Sequence, residues 1–149
     1  MTPKRLLVYF ICAAAVLNGF LLILEARSTP AERAAQVIAA EAAGEGLPAM
    51  IAVGEVIRAR GNFRGFSVMS KNLPVIFAAE SRGTRFKARA AWALSRFRLL
   101  SGGATQFENV RLFGRPVWSK GMTLTARWAG LEFYRKSRPW DLFIGKIKI

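Results

Sequence analysis

Hydrophobic and polar positions divide the chain into an uninterrupted apolar run, three helical stretches and a strand-rich end. Leu6 to Leu24 carries no charge and follows Lys4 and Arg5, so it is long enough to cross a bilayer as a helix. Thr29-Pro30-Ala31-Glu32 then has the pattern of a capping box with proline at the first helical position. The helix it starts runs to about Ala43. Ala34, Val37, Ile38 and Glu41 fall at i, i+3, i+4 and i+7, so Glu41 continues the apolar stripe. Gly44 and Gly46 end this helix. A second, about Pro48 to Arg60, repeats the pattern with Ala49, Ala52, Val53, Val56 and Ile57. Ala52 and Gly54 allow a close helix contact, and Gly61-Asn62 is its stop.

Beyond it, Asn62 to Ser81 is mixed, and Leu73 to Phe77 is a short apolar element that the pattern assigns to neither class. A third helix is expected from about Thr84 to Leu100, with Phe86, Ala90, Ala93, Leu94 and Phe97 inward. Arg85, Arg89, Arg96 and Arg98 project elsewhere. Gly102-Gly103 ends it. Ala104 to Asn109 reads as a strand, Leu112 to Lys120 as a loop, and Thr123 to Arg135 as a strand ending in Phe133-Tyr134. The tail, Lys136 to Ile149, fits an edge strand or an interfacial segment. The order predicts an α+β domain over residues 28–149, helices first and then a short antiparallel sheet, preceded by an N-terminal membrane anchor or signal sequence over residues 1–27.

The apolar run exceeds the usual signal-peptide core of roughly 7–15 residues, and Ala26-Arg27-Ser28 is a poor cleavage site, which favours an uncleaved transmembrane anchor. The domain is exported in either case, membrane-anchored or, after cleavage, secreted, with the positive N-terminus left inside. Cys12, the only cysteine, lies in this run, so no intramolecular disulfide forms. Tyr9-Phe10-Ile11 before it lack the small residues that precede a lipidated cysteine. The chain carries a net charge of +14, most of it on the domain, which draws the domain to polyanions. For an exported chain these are anionic lipids and cell-wall polymers. No nucleic-acid recognition motif is present, so no nucleic acid is expected. There is no histidine. That excludes a histidine general base and leaves no metal or cofactor expected. Nothing in the pattern fixes an oligomeric state.

Candidate chemistry therefore falls to carboxylates. Glu41 is singled out because its spacing turns it towards the core, and burial favours a protonated carboxyl that can act as a general acid on a glycosidic bond. The plainer alternative is a boundary residue at a helix end. Glu45 fits either a substrate contact or a partner for the second helix's dipole. Glu32 belongs to the cap. Glu55, Glu80 and Asp141 read as solvated positions, and Glu132 as outward facing. Phe107, Trp118 and Tyr134 fit either stacking on sugar rings or the core.

The stretch V-I-A-A-E-A-A-G-E-G-L-P-A-M-I-A-V-G-E-V-I-R-A-R, Val37 to Arg60, resembles the opening signature of the cell wall hydrolase family typified by the spore-cortex-lytic enzymes. Gly103 to Asn109 (G-A-T-Q-F-E-N) resembles a later strand of that family. Gly114 to Lys120 (G-R-P-V-W-S-K) resembles its loop segment, and Thr125 to Tyr134 its closing strand. The resemblance implies a small lysozyme-like, lytic-transglycosylase-like domain that cleaves the muramic acid–glucosamine bond of peptidoglycan in the bacterial cell envelope. Glu41 matches the family's essential acid. Glu45, Gln106, Phe107, Trp118 and Tyr134 would bind glycan, and the substrate's own hydroxyl would attack the sugar carbon. Glu45 or Glu108 would be the second carboxylate of a hydrolytic route. The chain departs from the family pattern at Ala43, Gln106 and Leu131, where the family has arginine, histidine and a polar stretch. These departures define the alternative, a catalytically degenerate, basic, membrane-anchored cell-wall-binding protein.

Overall fold

The computed structural model describes residues 29–66, 72–139 and 141. The run Leu6–Leu24, with the anchor expected from it, and nearly all of the tail past Pro139 lie outside the described residues. Helix α1 (Thr29–Ala42) passes through a 3-10 turn (Ala43–Glu45) into α2 (Gly46–Arg60). Gly46, at φ 84°, breaks the helical path in the left-handed half of backbone space, where glycine is at home. Gly61, also left-handed at φ 66°, closes α2 by donating to the Ile57 carbonyl. Pro30–Arg60 is apolar and long enough to cross a membrane by composition. Half of that stretch is buried within the fold, and its apolar residues form the core. Val37, Ile38, Met50, Val53 and Val56 are each almost fully buried. Burying a side chain of this size is worth roughly 1.5–3 kcal/mol.

The undecided apolar segment is a helix, α3 (Leu73–Ala79), with Pro74 in its first turn and Leu73 and Phe77, one turn apart, pointing inward. Helix α4 (Arg82–Leu94) is N-capped by Ser81, which accepts from the Thr84 amide at 3.0 Å, and continues into a 3-10 turn (Ser95–Phe97). Its inner face matches the expected one at Ala93, which is buried, and differs at the phenylalanines. Phe86 and Phe97 are 72% and 52% exposed, whereas Ala88, Ala91 and Ser95 are buried. The helix is rotated towards its small residues because the contact is close. A Cβ built on Gly54 of α2 would lie 2.8 Å from Ser95 Cβ. The large aromatic rings have no room on that side.

Arg89 projects away from the inner face, as expected, and is part-exposed there. Its guanidinium grips Glu32 through two bonds of 2.9 and 2.7 Å, fastening α4 to α1. Glu32 thus has a cross-helix partner as well as its place in the first turn.

Strands β1 (Gln106–Asn109), β2 (Met122–Trp128) and β3 (Leu131–Lys136) form one antiparallel sheet in the order β1-β3-β2. The single long strand expected over Thr123–Arg135 is a hairpin, turning at Ala129-Gly130 with Ala129 at φ 52°. Alanine is uncommon at positive φ, so the turn lacked its usual Asn-Gly or Asp-Gly mark. The expected loop holds a short helix, α5 (Val110–Phe113), N-capped by Asn109, and a 3-10 turn (Val117–Ser119). Side chains alternate across the sheet. Phe107 pairs with Phe133 and Asn109 with Leu131 on the face towards the helices. Gln106 pairs with Tyr134 and Glu108 with Glu132 on the opposite face. The observed class is α+β, with helices first and a small antiparallel sheet after them.

Two carboxylates expected to be solvated, Glu55 and Asp141, and one expected to face outward, Glu132, are engaged. Glu55 is 2% exposed and accepts from the amides of Leu100, at 2.9 Å, and Ser101, at 2.6 Å. Burial without such donors would be costly, and the amides that follow the 3-10 turn supply them. Glu132 is buried in the sheet rather than outward facing. Asp141 is held by Arg135, by Thr123 and by the amide of Arg138.

Candidate functional site

Glu41 stands one residue before the end of α1. There the apolar stripe meets the edge of β1. It is half-buried and lines a groove of about 490 Å³. The other walls include Arg60 from the end of α2, Phe66 from the segment after it, and Phe107, Glu108 and Asn109 from β1. Phe66, Phe107 and Phe133 form a row of tilted rings with centroids 5.8 and 5.6 Å apart. The groove therefore has Phe66 and Phe107 along its floor and the Glu41 carboxylate on its wall, with Glu108 contributing from the edge of β1.

Arg60 is fixed within this groove. Its Nε donates to the Thr105 carbonyl, one terminal nitrogen donates to the Arg64 carbonyl at 3.0 Å, and the guanidinium lies 4.9 Å from the Phe66 ring centre. Burial lowers its pKa from the usual arginine range, and attraction to Glu41 works in the other direction without cancelling it. Arg60 and Glu41 thus share one electrostatic environment. The sequence presents Arg60 only as the last residue of a helix, with nothing to mark it as Glu41's neighbour.

Glu45 sits apart from the groove lining and ties three segments together. It accepts from Asn109 Nδ2 at 3.1 Å, from Arg111 at 3.3 Å and from the Gly130 amide at 2.8 Å, and its side chain is 7% exposed. These bonds fasten the turn after α1 to the end of β1 and to the β2–β3 turn. A Cβ on Gly130 would press against Asn109 Oδ1 at 3.0 Å and both Glu45 oxygens at 3.2 Å, so only glycine fits there without displacing the clasp.

Gln106, Trp118 and Tyr134 belong to the opposite face of the sheet. The Trp118 ring meets Tyr134 edge-on at 5.4 Å. The Tyr134 hydroxyl donates to Glu132, which also receives Arg115 through two bonds of 3.2 Å and Arg127 at 2.8 Å. Burial alone would raise the pKa of Glu132, but the bonds from Arg115 and Tyr134 and the charges of Arg115 and Arg127 bring it below the usual carboxylate value. Burial and the bond to Glu132 raise the Tyr134 hydroxyl. This cluster clasps the loop after α5 onto the sheet. Of the six residues expected at the site, the groove collects Glu41 and Phe107, Glu45 forms the clasp behind them, and Gln106, Trp118 and Tyr134 stand across the sheet.

Comparison with models of protein families, with curated proteins and with solved structures finds no match to this chain.

Proposed function

We propose that the chain is a peptidoglycan-active glycosidase of the bacterial cell envelope, lytic transglycosylase-like in mechanism, with Glu41 as its general acid. The observation that carries this reading is Glu41 half-buried in the wall of an open groove, beside Phe66 and Phe107. The half-buried Phe107 ring offers an apolar face to sugars. Glu41 gives its proton to the leaving glycosidic oxygen, a step typically worth about 10²–10⁴-fold. As the glycosidic bond breaks, the substrate's own hydroxyl closes on the sugar carbon, its proton passes to the Glu41 carboxylate, and an anhydro end is left. Alternatively, a second carboxylate, brought round from Glu108 at the edge of β1, takes a proton from water and the product has a reducing end. In this reading Gln106 and Trp118 bind glycan that runs past the sheet edge, the buried Tyr134 supports Trp118 from beneath, and the N-terminal segment holds a lysozyme-like domain at the membrane.

A specific observation favours a second reading. Attraction between Arg60 and Glu41 favours the ionised carboxylate, which is the wrong form for an acid catalyst. With the departures at Ala43, Gln106 and Leu131, this describes a cationic glycan-binding protein without turnover. Mass spectrometry of soluble products after incubating the full-length chain with purified peptidoglycan separates the cases. Anhydro or reducing ends support the enzyme. Salt-sensitive binding to sacculi with no soluble product supports the binding protein and overturns the enzyme.

A further inference from the structure

The turn that follows α4 exposes two large apolar side chains close together, Phe97 at 52% and Leu99 at 78%. This turn stands beside the start of α1. Arg96 and Arg98, on either side of Phe97, line a cavity of about 440 Å³ together with Pro30 and with Phe63 and Trp92, both half-buried. We propose that Phe97 and Leu99 dock this end of the domain on the surface of a lipid bilayer, their side chains entering at the level of the headgroups.

The exposure is built into the turn. Ser95, just before it, is fully buried, and its hydroxyl donates to the Trp92 carbonyl at 2.6 Å. The amides of Leu100 and Ser101, just after it, are held by the buried Glu55. Between these two fixed points Arg98 takes the left-handed conformation at φ 54°, so the helical path stops there. Phe97 and Leu99 therefore project from a pinned turn rather than from a loose end. Single exposed apolar residues are ordinary on a protein surface. Two of them one residue apart on a fixed turn, beside two further aromatic rings, form a patch of the kind that marks a binding surface. Docking by these two side chains requires no free cation, so the bonds made by the neighbouring arginines do not bear on it.

The partner follows from where the chain leads. The six-residue step from Leu24 to Pro30 spans at most about 22 Å. With Leu6–Leu24 in the bilayer, Pro30 and the turn beside it are held within reach of the headgroups. Leucine and phenylalanine side chains enter that layer, and tryptophan, the type at position 92, is enriched there. A second exposed apolar pair, Leu112 at 67% and Phe113 at 76%, lines the groove at the other end of α1 with Ala40 and Glu41. Helix α1 has 14 residues and is about 21 Å long, so that pair stands away from the joint and serves as an internal comparison. The docking rests on the membrane anchor and not on the glycosidase reading.

The test puts one fluorophore at a time on the full-length chain, labelled in detergent and then reconstituted in phosphatidylcholine–phosphatidylglycerol vesicles with nitroxide-bearing lipid as quencher. The label sits on Cys12 itself or, with Cys12→Ala, on Leu99→Cys or Phe113→Cys. Quenching at Cys12 reports that the anchor is in the bilayer. Quenching at Leu99→Cys is expected to be about threefold or more stronger than at Phe113→Cys. Phe97→Ser added to Leu99→Cys should lower it by about half or more with little change in melting temperature, since the Phe97 ring is exposed. Quenching at Cys12 with none at Leu99→Cys, equal quenching at Leu99→Cys and Phe113→Cys, or no effect of Phe97→Ser overturns the docking and leaves the anchor standing. Absence of quenching at all three positions overturns both. Peptidoglycan digestion enters none of these readouts, so the glycosidase can fail while the docking holds.

Discussion

Glu55 is among the few charged side chains buried in this fold, and its value lies in what it satisfies. Its carboxylate closes the chain reversal after α4 by accepting from two successive amides, at Leu100 and Ser101. Glu55→Ala leaves both donors without this acceptor in a buried corner. We expect a loss of about 2–4 kcal/mol, read as a lower urea midpoint with an unchanged slope. Glu132, Glu32 and Asp141 carry a different signature, because ion pairs and hydrogen bonds hold all three below their ordinary pKa values. A carboxyl depressed on folding adds stability that is fully present above its unfolded pKa, near 4. That stability is lost as pH falls through the lower folded value. Melting temperature should therefore hold from neutral pH to about 5 and fall below about 4. Glu132→Gln should flatten that fall; an identical acid profile in the variant would remove Glu132 from the account.

At the scale of elements, close packing decides more than periodicity. Gly54→Ala is favourable by helix propensity, by about 0.8–1 kcal/mol. The added methyl would meet Ser95 Cβ at 2.8 Å, Ser95 Oγ at 3.0 Å and Ile38 Cδ1 at 3.2 Å. Overpacking of this kind costs about 1–3 kcal/mol, so a net loss of about 1 kcal/mol is expected, measured by thermal or urea unfolding. A more stable variant would mean that the contact yields easily. The same contact limits what the sequence tells about α4. Helices α1 and α2 were legible because their apolar residues recur at helical spacing and glycines stop them. On α4 the buried residues are alanine and serine, chosen for smallness, so the larger phenylalanines drew the predicted face to the wrong side. The β2–β3 turn escaped notice for a related reason, since Ala129-Gly130 carries a hairpin without its customary residues.

For the whole molecule, the sheet separates two environments that the sequence presents as one site. Glu41 and Phe107 share the groove with Arg60 and Phe66, while Trp118 and Tyr134 lie with Glu132 on the other face. Alternation along β1 and β3 divides them, and neither strand's pairing partner was legible before the register was known. Helical spacing drew attention to Glu41, and the resemblance over Val37 to Arg60 selected it as the acid. The carboxylates at Glu45, Glu55 and Glu132 had no comparable mark, because their donors come from residues distant in sequence. The account rests on Glu41 as a proton donor to a bound glycan. Its most direct test is muropeptide release from purified peptidoglycan by the wild-type chain and by Glu41→Gln, with both shown to melt at the same temperature. The account predicts release by the wild type and a rate lower by about 10²–10⁴-fold in the variant. Equal release by the two proteins would contradict it.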